Sequence, residues 1–364
     1  MKAWPACKRI LVIRPDNMGD LLMSSPAIRA LKETFSAEIT LLTSTEAAKV
    51  VTLLPIIDHV IIADLPWVKV NQASSPEAID DLIVRLRAQR FDACVIFTVY
   101  SQTALPSAML AWMAGIPKRL AYCRENPYHL LTDWVLEKEP YEWIKHQTER
   151  DLDLVERVGG VTPDKQLHVV THTSDQQSLQ QKLSICGIQL GKPLFILHAG
   201  VSEKKRMYPT TQWIKLGKEL LRQFNGQVLF TGSAKEQQLT DYLQSQTNGA
   251  SFSMAGKLSI GEFAILLAFA KVVISVNTAT IHLTAAVGTP QIVLYAQTNP
   301  QHHPWMTRAK IFEYSIPEEN RSKNEVIRFV NKRYYADYVP LPSVQEIVVA
   351  VNELLEGQRS VTKY

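Results

Sequence analysis

The sequence lacks any long hydrophobic run. Its apolar stretches end early, Phe263 to Ala270 at Lys271 and Ala108 to Ile116 at Pro117, far short of the ~18 or more residues a membrane-spanning helix needs. Cysteine is scarce: Cys7, Cys94, Cys123 and Cys186 are scattered, with no CxxC pair. Neither a zinc knuckle nor a disulfide framework is expected, and a reduced, cytoplasmic setting is. No apolar segment precedes Lys8 and Arg9, so a signal peptide is not expected. Three chemical signatures are also missing. No GxGxxG follows a strand-like run, which argues against a nicotinamide dehydrogenase; no GxxxxGK[ST] marks a P-loop; no GxSxG marks a hydrolase elbow. Charge is nearly balanced, with 39 Lys and Arg against 35 Asp and Glu and a net charge of +4. That excess is too mild to demand nucleic acid and is compatible with an anionic small ligand or an anionic membrane surface.

What is present is a chain of 364 residues, 46% hydrophobic and 20% charged, enough for about two domains with sizeable cores. Strand-like and helix-like stretches alternate. Strands are expected at Arg9–Arg14, Ile39–Leu42, His59–Ala63, Asp92–Phe97 and, weakly, Arg119–Tyr122, with amphipathic helices between them and a helical run from Glu142 to Val158. A polar stretch around Pro163–Pro193 reads as an interdomain connection. The alternation then restarts with strands at Leu194–His198, Gln227–Thr231, Val272–Val276 and Gln291–Tyr295, and a final helix at Val344–Leu355. Such alternation predicts parallel sheets covered on both faces. The expected division is 1–170, a linker at 171–192, a second domain at 193–335 and a tail with its helix at 336–364. Ligands of doubly wound sheets bind outside the carboxyl ends of the strands, and two such halves suit a site in a cleft between them.

Three turns at strand ends hold candidate chemistry. In Arg14-Pro-Asp-Asn-Met-Gly-Asp20, Gly19 allows a tight backbone and Asp20 falls where a helix begins. A carboxylate there serves either the helix dipole or general-base chemistry, with Asp16 a weaker competitor. In His198-Ala-Gly-Val-Ser-Glu-Lys-Lys-Arg206, the clustered Lys204, Lys205 and Arg206 suit either solvent or an anionic ligand. In Asn277-Thr-Ala-Thr-Ile-His282, helix-start amides, Asn277, Thr278 and Thr280 suit either an ordinary cap or a phosphate. Two further patterns are set aside. Asp151-Leu-Asp153 resembles a DxD metal motif but lies in a helical run, where residues two apart point in different directions. His302-His303 has no evident third ligand.

Together these segments resemble glycosyltransferase family 9, the bacterial heptosyltransferase family of lipopolysaccharide core synthesis, over about Lys8 to Trp305. The run Ile13 to Leu31 looks like the family's MGD opening. Leu197-His-Ala-Gly200 with Lys205, Arg206 and Trp213 resembles its donor-side loop. Phe230-Thr-Gly-Ser-Ala-Lys-Glu236 and Met254-Ala-Gly-Lys257 fit as well, and Ser275 to Gly288 is similar to its D[ST]GxxHLAAAxG signature. The resemblance implies an α/β GT-B fold, two Rossmann-like doubly wound domains facing across a cleft, the C-terminal helix often crossing back onto the first. It implies inverting transfer of a sugar from a nucleotide-sugar donor, ADP-heptose in the best-known members, to a glycan or lipopolysaccharide-core acceptor. Asp20 matches the catalytic carboxylate. Gly200, Lys205, Arg206, Gly232, Gly256, Asn277, Thr278, Ala279 and His282 fall on the donor side. Asn17, Met18, Gly19, Arg124 and Asn126 are acceptor-side candidates. There are departures: Asn277 stands where the family usually has Asp, Ala279 where it usually has Gly, and the segment Cys123 to His129, which carries Arg124 and Asn126, does not match the core heptosyltransferases, reading either as an acceptor-contact loop or as an ordinary structured loop. No metal and no cofactor are expected, the nucleotide-sugar being a substrate.

A lipid-linked acceptor would bring the protein to the inner membrane, where Trp4 with Lys2, Lys8 and Arg9, and Trp67 with Lys69, would meet anionic headgroups; ordinary surface aromatics are the other reading. Two rival functions stay open at this point: another GT-B nucleotide-sugar enzyme such as a 2-epimerase, and a non-catalytic nucleotide- or glycan-binding relative.

Overall fold

The computed structural model describes residues 3–70, 72–201 and 203–361, with the side chains of the last helix described as far as Gly357. The chain divides between His168 and Val169 into two compact units.

The first unit follows the order β1 (Arg9–Ile13), α1 (Met18–Phe35), β2 (Glu38–Thr43), α2 (Thr45–Ala48), β3 (His59–Ile62), α3 (Pro76–Ala88), β4 (Ala93–Ile96), α4 (Leu105–Met113), β5 (Lys118–Cys123), β6 (Asp133–Leu136) and α5 (Gln147–Glu156). Its six strands are all parallel, in the spatial order β3-β2-β1-β4-β5-β6. The central strands are short apolar runs because both faces are covered: Ile10 to Ile13 and Ala93 to Ile96 are buried along their whole length. Strand β1 pairs with β2 on one side, Ile13 opposite Leu42, and with β4 on the other, Ile13 opposite Ile96. Strand order therefore reverses between β1 and β4. The loops leaving these two strands meet at that switch point, the place where such sheets take ligands.

The second unit runs α6 (Thr173–Ile185), β7 (Leu194–His198), α7 (Thr210–Phe224), β8 (Gln227–Thr231), α8 (Gln237–Thr247), β9 (Ser251–Ser253), α9 (Ile260–Phe269), β10 (Val272–Val276), α10 (Ala279–Ala286), β11 (Gln291–Ala296), β12 (Ala309–Tyr314), α11 (Glu325–Tyr334) and α12 (Val344–Val361). Its sheet is again six-stranded and parallel, ordered β12-β11-β10-β7-β8-β9. This is the same topology read from the other edge, with the switch point between β7 and β10. Ile347, Val348, Val351 and Leu354 of α12 join the core formed by α7, β10 and β11, so the last helix is packed into the second unit as far as it is described.

Several elements escaped the sequence reading. Strands β6 and β9 are four and three residues long, too short to show a period, and β6 is an edge strand. β12, an edge strand with exposed Lys310 and Ile311, carries no buried-strand signal. The stretch 171–192 contains helix α6, whose weak amphipathicity leaves only Leu179 and Leu183 buried. It docks on α9 through Lys182, which pairs with Glu262 at 2.7 Å. The Ser259–Glu262 capping box that starts α9 is present.

Candidate active site

At the first unit's switch point the sequence dictates a tight turn. Asn17 caps α1 in extended conformation, and Asp20, the third residue of the helix, reaches back to it. The Asn17 backbone N–H donates to Asp20 Oδ2 at 3.2 Å and the Asn17 amide to the same oxygen at 3.4 Å. The first of these bonds is one half of a capping box, in which the Asn17 side chain accepts from the Asp20 backbone in return. Asp20 Oδ1 faces Arg14 Nη2 at 3.5 Å, and Arg14 Nη1 faces Asp16 Oδ2 at 3.2 Å. Arg14 is completely buried and Asp20 is 8% exposed. From across the switch point Gln102, after β4, donates to Asp16 Oδ1 at 2.6 Å. Burial works against the Arg14 charge, but Asp16, Asp20 and Asp151 around it hold its pKa above the ordinary value. Burial pushes the Asp16 carboxyl up; Arg14 and Gln102 pull back and Asp20 adds to the rise. Asn17 is exposed, Met18 half-buried and Gly19 buried. Thus Asp20 is a fixed carboxylate after the carboxyl end of β1, and the helix-cap reading of it is seen directly.

A second polar layer lies behind this turn, and the sequence did not reveal it. Asp151 of α5 accepts from Ser24 Oγ at 2.6 Å and from Gln147 Nε2 at 2.8 Å, and Ser24 also donates to the Asp20 carbonyl at 3.0 Å. Burial raises the Asp151 pKa to about 6, against the pull of Arg14, Ser24, Arg150 and Gln147. Its neighbour Arg150 is 1% exposed and binds both Glu137, bidentately, and Glu139 at 2.7 Å, while lying over the Tyr122 ring at 4.0 Å. Asp153 points elsewhere, to Lys145. The DxD pattern is thus split between two environments. Among the described residues no group of three or more His, Cys, Asp or Glu is placed to hold a metal ion.

In the second unit the loop after β7 carries the basic cluster. Lys205 and Arg206 both face Glu203 of the same loop, at 3.2 and 3.4 Å. Arg206 Nη1 donates to the Asn277 carbonyl at 3.0 Å, which again joins the two loops of a switch point. Tyr314 Oη donates to the Arg206 carbonyl at 2.8 Å. The Asn277 side chain is spent within the sheet: its amide donates to the Ala296 carbonyl at 3.2 Å and to Thr298 Oγ1 at 3.0 Å, and its oxygen accepts from Ala296 N at 3.3 Å. An aspartate there would keep the last bond but could not donate the first two. Thr278 caps α10 in extended backbone without using its hydroxyl, which is buried with no hydrogen-bond partner. Ala279 opens the helix, and His282 is buried within it, edge-on to His302 at 6.3 Å.

The three glycines meet one neighbour group. A Cβ on Gly200 would fall 2.0 Å from Glu236 Oε1, one on Gly232 2.9 Å from Glu236 Oε2, and one on Gly256 2.8 Å from the Ala234 Cα. Gly256 also has φ +70°, where side chains are disfavoured. The loops after β7, β8 and β9 therefore close onto the turn Ala234–Glu236. Glu236 is itself fixed by Ser233, whose backbone and hydroxyl donate to it at 2.6 and 2.9 Å. Its Ser-x-x-Glu spacing was legible as a capping box and was passed over. Beside it, burial lowers the His198 pKa, with Glu236 opposing.

The acceptor-side candidates beyond α1 divide. Arg124 donates to the Tyr100 and Glu139 carbonyls at 3.1 and 2.7 Å, so its guanidinium braces the loop it was expected to extend from. Asn126 accepts from Tyr128 N at 3.0 Å in an exposed turn. Trp4 is not available to lipid: it is 7% exposed and donates to Asp133 at 3.1 Å. Lys8 is exposed, Arg9 bonds Gln89 at 2.8 Å, and Trp67 is half-buried and bonded to Ser107 at 3.0 Å. Lys2 lies outside the described residues. Among the described residues no helix is long and apolar enough to cross a membrane.

Two parallel sheets with this strand order, each with a built switch point, are the two halves of the GT-B glycosyltransferase fold. The chain belongs to glycosyltransferase family 9 (heptosyltransferase), whose family model matches residues 79–331, and it is a glycosyltransferase. It is 26% identical over 308 residues to lipopolysaccharide heptosyltransferase 2 of Salmonella typhimurium, covering 81% of this chain and 85% of that protein. Its fold matches a family 9 glycosyltransferase from Veillonella parvula with TM-score 0.80 at 18% identity, over 98% of this chain and 99% of the other. It also matches the E. coli ADP-heptose lipopolysaccharide heptosyltransferase II with TM-score 0.72 at 21% identity, over 96% and 99%.

Proposed function

We propose that this glycosyltransferase moves a heptose or related sugar from an ADP-linked donor to a glycan acceptor of the lipopolysaccharide core, with inversion at the anomeric carbon. The observation that carries the reading is the Asp20 carboxylate, anchored at the end of β1 by Asn17 and Arg14. In this mechanism Asp20 takes the proton of the acceptor hydroxyl as that oxygen attacks the anomeric carbon, and the nucleotide diphosphate leaves from the opposite face. Lys205, Arg206 and the amides at the start of α10, with Thr278 and His282 beside them, receive the leaving charge, so no metal is called for. Gly200, Gly232 and Gly256 serve by letting the surrounding loops pack closely, and Asn277 by tying the ends of β10 and β11 together. The acceptor approaches over Asn17, Met18 and Gly19, with Asn126 on a neighbouring loop. The protein works in the cytoplasm and reaches a lipid-linked acceptor at the inner membrane as a peripheral visitor.

The Salmonella relative supports the substrate class by its name, and an E. coli relative in the fold comparison was solved with ADP. Transfer assayed from ADP-heptose to heptose-deficient core lipopolysaccharide tests the reading. Asp20→Ala should lose ~10²–10⁴-fold in turnover with an unchanged melting curve. Near wild-type transfer by that variant would overturn the base assignment.

A further inference from the structure

The buried Arg14 stands between two carboxylates of the same turn, and only one of them has a role in the reaction just proposed. Asp16 is held for a purpose: Gln102 grips one oxygen at 2.6 Å from across the switch point, the other faces Arg14 at 3.2 Å, and its side chain is 8% exposed. Gln102 is in turn set by its own carbonyl, which accepts from Val99 N at 3.1 Å. A turn needing only a helix cap would be complete with Asn17 and Asp20. A buried guanidinium given solely to Asp20 would make that carboxylate a poor base, because a neighbouring positive charge stabilises its ionised form. A second carboxylate on the same guanidinium offsets that effect.

We propose that Asp16 is a positioning residue for the reaction: with Gln102 it holds Arg14 off Asp20, so that Arg14 orients the reacting carboxylate without extinguishing its basicity. The inference rests on the general-base reading of Asp20. The other charges facing the cluster come from α5, where Asp151 adds negative charge and Arg150, already committed to Glu137 and Glu139, adds positive. Asp16 is the carboxylate that shares the Arg14 guanidinium with Asp20. Burial beside Asp20 raises the Asp16 pKa, consistent with two carboxylates competing for one cation.

The test is the pH dependence of kcat/KM for ADP-heptose transfer, together with the carboxyl titration of Asp20 followed by ¹³C NMR on the aspartate-labelled full chain, the resonance assigned by its loss in Asp20→Asn. Asp16→Asn removes the charge but sets an amide against Arg14; Asp16→Ser removes it while leaving room for water, so one of the two should stay folded. In a folded neutral variant the Asp20 midpoint and the acidic limb should move down by about one pH unit, and kcat should fall roughly three- to tenfold through weaker basicity. Asp16→Glu should restore both. A lowered kcat with an unmoved midpoint and limb would mean a merely structural Asp16 and overturn the inference alone. Full transfer by Asp20→Asn would overturn the base assignment and the inference with it.

Discussion

The two switch points share a topology and differ in construction. In the first unit the loops after β1 and β4 meet through Gln102 and Asp16; in the second the loops after β7 and β10 meet through Arg206 and Asn277. The first is made of buried charge: Arg14, Asp151, Arg150, Glu137 and Glu139 are all under 8% exposed. The second keeps Lys205 and Arg206 about a quarter exposed and obtains its closeness from glycine. Buried, paired charges fix geometry because leaving one unpaired is expensive. Partly exposed ion pairs such as those of Lys205 and Arg206 with Glu203 contribute little to stability, so that carboxylate can be exchanged for another anion at little cost. The first unit's switch point is therefore fixed by buried paired charge, and the second keeps partly exposed cations beside closely packed glycines.

Four experiments would break or sharpen this contrast. The largest effect is expected from Arg150→Met, which strands Glu137 and Glu139 in the first unit's interior. It should lower stability by about 3–5 kcal/mol in urea titration, and a loss below about 1 kcal/mol would mean the charge network is not what rigidifies that unit. Next, Lys205→Ala with Arg206→Ala should weaken ADP binding roughly ten- to a hundredfold by calorimetry while leaving the melting temperature nearly unchanged; an unaltered Kd would remove the second loop from the donor site. Gly256→Ala, placed at φ +70° against Ala234, should destabilise by about 1–2 kcal/mol, read as a lower Tm. A neutral result there would deny that glycine sets the loop packing.

The fourth experiment concerns pH. The Asp151 pKa is raised in the folded protein, to about 6, from about 3.9 unfolded. The native state therefore holds this proton more tightly than the unfolded one. The stability it brings is full below about pH 4 and is lost as pH rises through about 6. Asp151→Asn carries no such proton, so the stability difference between variant and wild type should shift in favour of the variant between pH 4 and 7. Parallel urea curves at both pH values would show it; a constant difference would place the Asp151 proton affinity at its unfolded value.

Much of this was legible along the chain. Strands β1, β4, β7 and β10 announced themselves as short apolar runs, and the residues following them, Arg14 to Asp20, His198 to Arg206 and Asn277 to His282, stood out because function in doubly wound sheets collects at strand ends. The edge strands β6, β9 and β12 were missed because partial exposure or mere shortness erases a hydrophobic pattern. Arg14 lay inside the motif that drew attention to Asp20, yet no rule of spacing makes a lone arginine after a strand a buried one. The bond of Asp151 to Ser24, 127 positions away, has no local signature. Arg124 stood out because the segment Cys123 to His129 departs from the family pattern in the acceptor-side domain, and its bonds to the Tyr100 and Glu139 carbonyls have no local signature.

What the sequence determined by itself is the class of fold, the family and the order of the strand-end motifs, since these follow from periodicity and from motifs a few residues long. Which charge faces which was decided only by tertiary structure. The partners Gln102 and Asp16, Arg14 and Asp20, and Arg206 and Asn277 meet because β1 lies beside β4 and β7 beside β10. Coulomb and hydrogen-bond energies depend on distances of a few ångströms, and sequence separation does not encode them.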